Sequence, residues 1–348
     1  MRIRINGNVC TSPDEVRMCA SPKAARFIEE YFADGDTIVA HTSGSTGTPK
    51  EIHLNKCDMR ASARLTNERF GITAESLLYL CLSPDYIAGK MMLVRAIEAD
   101  AEIVEQKPSN EPMAGYDSNR RVSLLAVVPS QLGYLINHPE YLSLIDTIII
   151  GGGALSDRIE RWLAEKGVNA FKTYGMTETC SHVALAEVSS TRSPFTAIGN
   201  VTFGTDERGC LVIHAPQFTH PDIVTNDIVD LLDPRRFYWR GRYDNVINTG
   251  GLKVFPEEVE EAIARVLPRA KFFVTSRPSE KWGEELLLVL EYPSLAEGER
   301  KEGEVHPGLI TRLKTLLPTH AIPRHYVALP TLPTTPTGKP LRRLHTKK

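Results

Sequence analysis

Short apolar runs alternate with longer amphipathic segments along the chain from about Asp36 to Trp239. The apolar runs have the length and composition of buried strands, whereas the longer segments place apolar residues at helical spacing. The predicted strands are 37–40, 123–128 and 146–150, and the predicted helices are 57–70, 130–137 and 156–166. This alternation is typical of βαβ units with parallel strand pairing. We therefore predict an α/β fold.

Two of these helices carry further local signals. Helix 57–70 has Met59, Ala63 and Leu65 on its apolar side. Helix 156–166 begins at Ser156, whose hydroxyl suits an N-cap, and it is followed by Gly167, which suits a C-terminal stop. These signals place the helix boundaries independently of the periodicity.

The pattern changes near Arg240. A Gly250-Gly251 turn is followed by a helix that begins around Pro256, by strands at 271–275 and 285–291, and by a polar segment at 295–304 that we interpret as a surface loop. A chain of 348 residues also favours two domains, at roughly 150 residues each. We predict a large N-terminal domain, 1–241, and a smaller C-terminal α/β domain, 242–348.

Composition narrows the possible functions. Hydrophobic residues make up 42% and charged residues 24%, which is typical of a globular protein. The formal net charge of -2 provides no overall field to attract nucleic acid or an anionic membrane, so we expect neither as a partner. No apolar run approaches the ~20 residues that span a bilayer. With no signal-peptide pattern and six scattered cysteines that lack zinc-site spacing, the chain is predicted to be cytoplasmic.

The most informative segment is 42–50, TSGSTGTPK, which follows a predicted strand. Its hydroxyls, glycine N–H groups and terminal Lys50 suit a polyphosphate. The spacing excludes the G-x-x-x-x-G-K-[ST] loop of P-loop enzymes, because Thr48 and Pro49 separate Gly47 from Lys50. The alternative is a flexible Ser/Gly linker.

Three further segments carry candidate chemistry. Segment 173–179, TYGMTET, combines an aromatic ring, hydroxyls and a carboxylate suited to Mg²⁺. Segment 241–245, GRYDN, lies at the predicted domain boundary downstream of Asp227. Hinges and ligand contacts occur at such boundaries. Taken alone, however, an exposed turn with a local ion pair is the simpler interpretation of this segment. Segment 335–340, TPTGKP, presents Lys339 on a stiff backbone within a basic C-terminal stretch. That stretch suits a shaped loop better than a disordered nucleic-acid arm.

In chain order these segments, together with the glycine turn at 151–155, resemble the adenylate-forming superfamily of acyl-CoA synthetases, peptide-synthetase adenylation domains and luciferases. The order is the specific part, and the resemblance runs from residue 37 to 343. It implies a large N-terminal α/β domain shortened at its N-terminus and a smaller, mobile C-terminal α/β domain. It also implies a carboxylic acid substrate, ATP and Mg²⁺ as cofactors, and CoA as a co-substrate.

The resemblance also assigns roles to residues. Lys339, Glu178 and Thr177 are catalytic, and Glu178 holds Mg²⁺. Asp244 lies at the hinge, Gly250 and Gly251 belong to the CoA channel, and Tyr86 stands in the acyl pocket where many members have a histidine. The nucleotide is bound by a larger set: Thr42, Ser43, Gly44, Ser45, Thr46, Gly47, Thr48, Lys50, Gly152, Gly153, Ala154, Tyr174, Gly175, Met176, Asp227 and Arg242.

Within the superfamily, segment 174–181, YGMTETCS, is most similar to the o-succinylbenzoate:CoA ligases of menaquinone synthesis. The chain departs from the superfamily in its short region before residue 42 and in Thr225-Asn226-Asp227, where Thr-Gly-Asp is usual. Two alternatives stay open. One is another acyl-CoA synthetase or an enzyme that loads a carrier-protein thiol, and the other is a non-catalytic nucleotide-binding protein.

Overall fold

The computed structural model describes residues 1–41, 51–153, 155–334 and 340–342. Within these ranges the chain forms a large β-sheet, a smaller β-sheet and a separate antiparallel strand pair, with helices packed against the sheets.

The strands, numbered in chain order, are β1 (Ile3–Ile5), β2 (Asn8–Cys10), β3 (Thr37–His41), β4 (Glu51–Asn55), β5 (Leu77–Leu80), β6 (Glu102–Glu105), β7 (Leu124–Val127), β8 (Ile148–Ile150), β9 (Ala170–Gly175), β10 (His182–Glu187), β11 (Phe195–Ala197), β12 (Thr202–Thr205), β13 (Cys210–His214), β14 (Asp222–Asp233), β15 (Arg236–Arg242), β16 (Ile247–Thr249), β17 (Leu252–Val254), β18 (Phe272–Ser279), β19 (Gly283–Glu291), β20 (Lys301–Glu304) and β21 (His325–Leu329).

The α-helices are α1 (Pro13–Cys19), α2 (Pro22–Phe32), α3 (Lys56–Phe70), α4 (Ile87–Ala99), α5 (Pro129–Asn137), α6 (Pro139–Leu142), α7 (Asp157–Glu165), α8 (Pro256–Val266) and α9 (Pro307–Leu313). Single 3-10 turns lie at Thr177–Thr179, Tyr243–Asn245 and Thr319–Ala321. No helix in the described ranges has both the length and the apolar character needed to cross a membrane.

The large sheet has the strand order β12-β13-β14-β15-β11-β10-β9-β8-β7-β5-β6-β1-β2. The predicted parallel pairing is confirmed from β9 through β8, β7 and β5 to β6 and β1. It is wrong from β10 to β15, where neighbouring strands are antiparallel. The physical reason is connection length, because the segment 176–181 between β9 and β10 is too short for the crossover of about a dozen residues that parallel strands need.

The parallel strands are buried on both faces. Along β5, Leu78 and Leu80 pack into one hydrophobic core, and Leu77 and Tyr79 pack into another. Helices cover both faces, as is usual for parallel sheets. The predicted helices 57–70 and 156–166 are confirmed as α3 and α7, and the hydroxyl of Ser156 caps α7 by accepting the N–H of Ile159.

Strand β4 was not predicted. It pairs antiparallel with β3 from Thr37 opposite Asn55 to His41 opposite Glu51. Its sequence, EIHLN, is half polar, so its periodicity carries little strand signal. The segment 42–50 therefore joins two paired strands, whereas the sequence pattern led directly from this segment to a helix.

The smaller sheet has the order β17-β16-β19-β21-β20, and β18 pairs with β19. The chain leaves the large sheet at the end of β15 and enters the smaller one at β16, so the sheets divide between Arg242 and Ile247. The loop predicted for 295–304 is wrong at its end, because β20 pairs antiparallel with β21. The charged sequence KEGE has low strand propensity, but it is compatible with the exposed edge of a sheet.

Candidate active site

The carboxyl ends of β7, β8 and β9 form one edge of the large sheet. Strand β8 runs into the glycine turn at 151–153, where the N–H of Gly151 donates to Val127 at 3.0 Å and Gly152 has a φ of 82°. The hydroxyl of Thr173 on β9 donates to the carbonyl of Ile150 at 3.2 Å. In open α/β sheets ligands bind outside this edge. Gly152 and Gly153 are thus brought to the same edge as the segment that follows Tyr174.

Segment 175–181 folds back tightly on itself. A Cβ at Gly175 would lie 2.2 Å from the carbonyl oxygen of Ser181, so the fold requires glycine there. The hydroxyl of Thr179 accepts the N–H of Met176 at 2.9 Å and is 2.6 Å from the carbonyl of Ser181. Cys180 has a φ of 58° in the left-handed region that favours glycine. The turn leaves Glu178 exposed and directs the chain inward at Ser181.

Tyr174 and Asp227 are in direct contact. The Tyr174 hydroxyl donates to Asp227 Oδ2 at 2.7 Å, and the indole N–H of Trp239 donates to Oδ1 at 3.2 Å. Burial, and secondly the Asp227 carboxylate, raises the pKa of Tyr174 well above its ordinary value of 10.0, so the phenol remains a donor. Each carboxylate oxygen retains lone-pair capacity. Asp227 is thus oriented by fixed donors and can still accept hydroxyl groups of a ligand.

The Tyr174 ring packs edge-on against Phe237, with ring centroids 5.0 Å apart, and it is buried in the core. Its role as a platform for adenine stays a prediction.

Arg242 connects Asp227 to the segment between the two sheets. Its guanidinium lies 3.7 Å from Asp227 Oδ1 and 3.2 Å from Asp244 Oδ2. Asp244 also accepts the amide of Asn226 at 3.4 Å. Asp227 and Arg242 face each other in the β14–β15 register, which explains their proximity despite their separation in sequence. The hinge role of Asp244 stays a prediction.

The exposed carboxylate of Glu178 is compatible with a magnesium site shared with a nucleotide, and its role as a ligand stays a prediction. In the described ranges, no cluster of three or more His, Cys, Asp or Glu side chains could hold a metal ion. Mg²⁺ usually keeps several waters and takes one or two carboxylates together with substrate phosphates. An exposed single carboxylate is compatible with that mode, in which the bound ion would neutralise phosphate charge.

Gly250 and Gly251 form the turn between β16 and β17, with φ values of 58° and 81°. Two consecutive left-handed residues are typical of a type I′ hairpin turn. The N–H of Gly250 donates to the carbonyl of Trp282 at 2.8 Å, and a Cβ at Gly250 would lie 2.8 Å from the Trp282 ring. Glycine at 250 is thus required locally, and the role of this turn in a CoA channel stays a prediction.

Arg95 is a candidate site residue that the sequence pattern did not reveal. It lies on α4, is 2% exposed, and donates to the Ser181 hydroxyl and, at 3.4 Å, to Met92 Sδ. Its Nε has no hydrogen-bond partner among the described residues, and no described carboxylate forms an ion pair with its guanidinium. Burial lowers the pKa of Arg95 to about 9, which leaves it charged at neutral pH.

A buried cation without a counterion is costly to folding. Such an arrangement suggests that a ligand supplies the negative charge. The only sequence signal was one basic residue in the apolar stretch MMLVRAI, which by itself is more often a structural arginine. Tyr86 lies just before the same helix and is 45% exposed, so its place in an acyl pocket stays a prediction.

Several predicted residues lie outside the described ranges, and no structural statement is made of them: Thr42, Ser43, Gly44, Ser45, Thr46, Gly47, Thr48, Lys50, Ala154 and Lys339.

Arg342 lies close after Lys339 in sequence, and its side chain is held by α8 and β18. It pairs with both carboxylate oxygens of Glu260 and donates to the carbonyl of Val274 at 2.7 Å. Glu257 lies 3.6 Å away and accepts the amide of Asn245 at 2.6 Å. The chain on the C-terminal side of Lys339 is thus anchored to α8 and β18.

Replacing Arg342 with methionine is expected to destabilise the protein by about 3 kcal/mol, because it leaves two largely buried carboxylates without their cation. Urea unfolding monitored by tryptophan fluorescence measures the change. Arg312→Met, on an exposed face of α9, is the matched control and is expected to shift stability by less than about 0.5 kcal/mol. Equal shifts in the two variants would contradict the anchoring role.

Comparison with known proteins identifies the family of the chain. The model of the AMP-binding enzyme family matches residues 24–207, more than half of the chain. A probable 2-succinylbenzoate–CoA ligase of Mycobacterium tuberculosis is 31% identical over 264 residues, which cover 68% of this chain and 66% of the relative. The 2-succinylbenzoate–CoA ligase of Bacillus mycoides is 25% identical, and the alignment covers 92% of this chain and 72% of the relative.

Solved structures share the fold. An acyl-CoA synthetase (AMP-forming)/AMP-acid ligase II-like protein from Dyadobacter fermentans aligns with a TM-score of 0.61 and 29% identity over 94% of this chain and 95% of that one. The o-succinylbenzoate CoA synthetase of Bacillus subtilis, solved with its acyl-adenylate intermediate, aligns with a TM-score of 0.74 and 22% identity over 89% of this chain and 69% of that one. On the family match, the chain belongs to the AMP-binding enzyme family.

Proposed function

We propose that this protein is an AMP-forming acid:CoA ligase that activates 2-succinylbenzoate with ATP and Mg²⁺ and transfers the acyl group to CoA. Family membership and the names of the relatives support the reaction class. Within that class, one observation carries the choice of substrate. Arg95 is a buried cation that lacks a described counterion, and it contacts Ser181, the last residue of segment 174–181.

A dicarboxylate explains this arrangement. One carboxylate of 2-succinylbenzoate reacts with ATP, and the other remains an anion throughout the reaction. A buried guanidinium forms strong, charge-assisted hydrogen bonds to such a carboxylate. Because the apolar residues around Arg95 exclude water, the pairing discriminates strongly against acids that lack the second charge.

The first half-reaction brings two anions together. A carboxylate oxygen attacks the α-phosphorus of ATP, a new O–P bond forms, and pyrophosphate leaves with the electron pair of the broken bond. Oriented donors and cations at the reacting phosphate lower the barrier. Asp227 would hold the ribose hydroxyls, the glycine turn would border the adenine, and Glu178 would hold Mg²⁺. Lys339 and the 42–50 segment supply positive charge and hydrogen-bond donors.

In the second half-reaction the CoA thiolate attacks the acyl carbon, and AMP leaves. We propose that the smaller domain, 242–348, rotates about Asp244 between the two steps and brings the Gly250-Gly251 turn to the thiol. The 3-10 turn at Tyr243–Asn245 lies in the short covalent link between the two sheets, where Asp244 contacts Asn226 of β14 and Asn245 contacts Glu257 of α8.

Replacing Asp244 with proline is expected to slow the CoA-dependent step about tenfold or more and to change pyrophosphate exchange much less. The turn's backbone bond runs from Val246 N–H to the Tyr243 carbonyl, so proline at 244 removes no bond of the turn and restricts rotation through its fixed φ. Single-turnover assays of each step measure the effect. Asp244→Ala is the control, and equal slowing of both steps by proline would refute the hinge.

The proposed function is tested by ATP/pyrophosphate exchange across a panel of carboxylic acids, followed by an acceptor assay with CoA and with a carrier-protein thiol. We expect exchange with 2-succinylbenzoate at the highest kcat/KM, and CoA as the acceptor. Preference for a monocarboxylate would assign another acyl-CoA synthetase, and transfer to the carrier protein alone would assign a loading enzyme. If no AMP were released in a carboxylate-dependent manner, catalysis would be contradicted altogether.

A further inference from the structure

A chain of hydrogen-bonded polar groups connects Arg95 on α4 to Thr66 on α3. Arg95 contacts the Ser181 hydroxyl, which lies 3.3 Å from His182 Nδ1. On the other side of the ring, His182 Nε2 lies 3.2 Å from the Thr66 hydroxyl, which donates to the Ser62 carbonyl at 3.2 Å. We call these residues, Arg95, Ser181, His182, Thr66 and Ser62, the Arg95 relay.

Hydrogen-bond chemistry gives the relay one direction. The Thr66 hydroxyl satisfies both of its contacts only if it donates to the Ser62 carbonyl and accepts from His182, so we assign the His182 proton to Nε2. Nδ1 is therefore an acceptor. Arginine only donates, so Ser181 accepts from Arg95 and passes its own proton to Nδ1.

The charge state of His182 is compatible with this direction. Burial, and secondly the positive charge of Arg95, holds the pKa of His182 well below its ordinary value of 6.5. The imidazole is neutral at physiological pH and keeps one acceptor nitrogen. It cannot supply a counterion for Arg95, so the relay orients the guanidinium without neutralising it.

We propose that His182 is a positioning residue that determines dicarboxylate specificity. By accepting the Ser181 proton, it turns a Ser181 lone pair towards Arg95 and fixes the guanidinium, leaving the unpartnered Nε–H for the second carboxylate of the substrate. The inference rests on the proposed function. It adds that uncharged residues of α3 and β10 determine the selectivity for the second carboxylate.

Two substitutions of His182 distinguish the roles of its two ring nitrogens. In His182→Asn the side-chain oxygen lies near the former Nδ1 and can still accept from Ser181. In His182→Gln the amide N–H extends towards Thr66, and the acceptor near Ser181 is lost. We expect H182Q to raise the KM for 2-succinylbenzoate roughly tenfold, the size expected from one lost positioning hydrogen bond, and H182N to raise it by less.

The readout is kcat and KM in pyrophosphate exchange for ATP, for 2-succinylbenzoate and for the analogue that lacks its non-reacting carboxylate. The KM for ATP is expected to stay near the wild-type value. H182Q is expected to lose most of the preference for the dicarboxylate over the analogue without the non-reacting carboxylate. If His182 had a merely structural role, the kinetic constants for all substrates would instead change in parallel.

Thr66→Val serves as a second variant if the His182 variants fold poorly. It removes the acceptor for Nε2–H, which allows the proton to move to Nδ1 and compete with Ser181, so the KM for 2-succinylbenzoate is expected to rise in the same direction. Identical behaviour of H182Q and H182N, or an unchanged KM in T66V, would overturn the role of His182 while leaving the proposed function in place. Absence of exchange with 2-succinylbenzoate in the wild type would overturn the proposed function and this inference together.

Discussion

Replacing Arg95 with methionine is expected to lower kcat/KM for 2-succinylbenzoate on the order of 100-fold, because the loss of one partner of a buried charge pair costs about 3 kcal/mol in binding. Activity with the analogue that lacks the non-reacting carboxylate is expected to change little. Pyrophosphate exchange with both acids measures the two values in one assay. Loss of activity with both acids to the same extent would contradict a role in recognising the second carboxylate.

The stability of the same variant provides an independent check. Arg95 lies in a core that contains Met91 and Met92, and methionine fills a similar volume without a charge. Because replacing an uncompensated buried charge by a packed apolar side chain is often neutral or stabilising, we expect the free energy of unfolding to stay constant or rise. Arg95→Lys is the matched control: it retains the charge but not the planar, bidentate geometry, and is expected to give an intermediate kcat/KM.

Replacing Lys339 with alanine is expected to lower the rate of adenylate formation by at least about 100-fold, which is typical for removal of one group that stabilises charge in a transition state. Thioester formation from supplied acyl-adenylate is expected to remain largely intact, since no second anion approaches a phosphate in that step. The two half-reactions are measured separately, by pyrophosphate exchange and by acyl transfer to CoA.

The basic C-terminal stretch offers a matched control for this variant. Lys347→Ala removes the same charge from the same stretch of sequence and is expected to leave both half-reactions close to the wild-type rate. If Lys339→Ala slowed both half-reactions equally, its assignment to the adenylation step would be wrong. If both lysine variants slowed adenylation equally, only the overall charge of the stretch would matter.

Local signals predicted much of the fold. The hydroxyl of Ser156 and the glycine at 167 marked both ends of α7, because capping depends on residues within one turn of the helix end. The pairing of β10 to β15 and the strands β4 and β20 were missed. The antiparallel pairing from β10 to β15 follows from connections, such as 176–181, that are too short for a crossover. The sequences of β4 and β20 have weak strand periodicity, and these strands form because a neighbouring strand offers hydrogen-bond partners.

The candidate site divides in the same way. Contiguous motifs such as 174–178 were recognisable because their glycine turn, aromatic ring and carboxylate are neighbours in the sequence. The pairing of Tyr174 with Asp227 depends instead on strands that are distant in sequence, and no spacing rule predicts the 2.7 Å contact. The contact of Arg342 with Glu260 is equally nonlocal.

The sequence by itself determined the family, the order of its motifs and the residue types available to a nucleotide, since these depend on neighbours along the chain. Only the tertiary structure decided which charges are compensated. Arg95 on α4, Thr66 on α3 and His182 on β10 meet in one buried relay because three elements pack together. Burial converts an ordinary arginine into an unneutralised cation, and burial is a property of the packed fold, so this candidate determinant of specificity is absent from any local pattern.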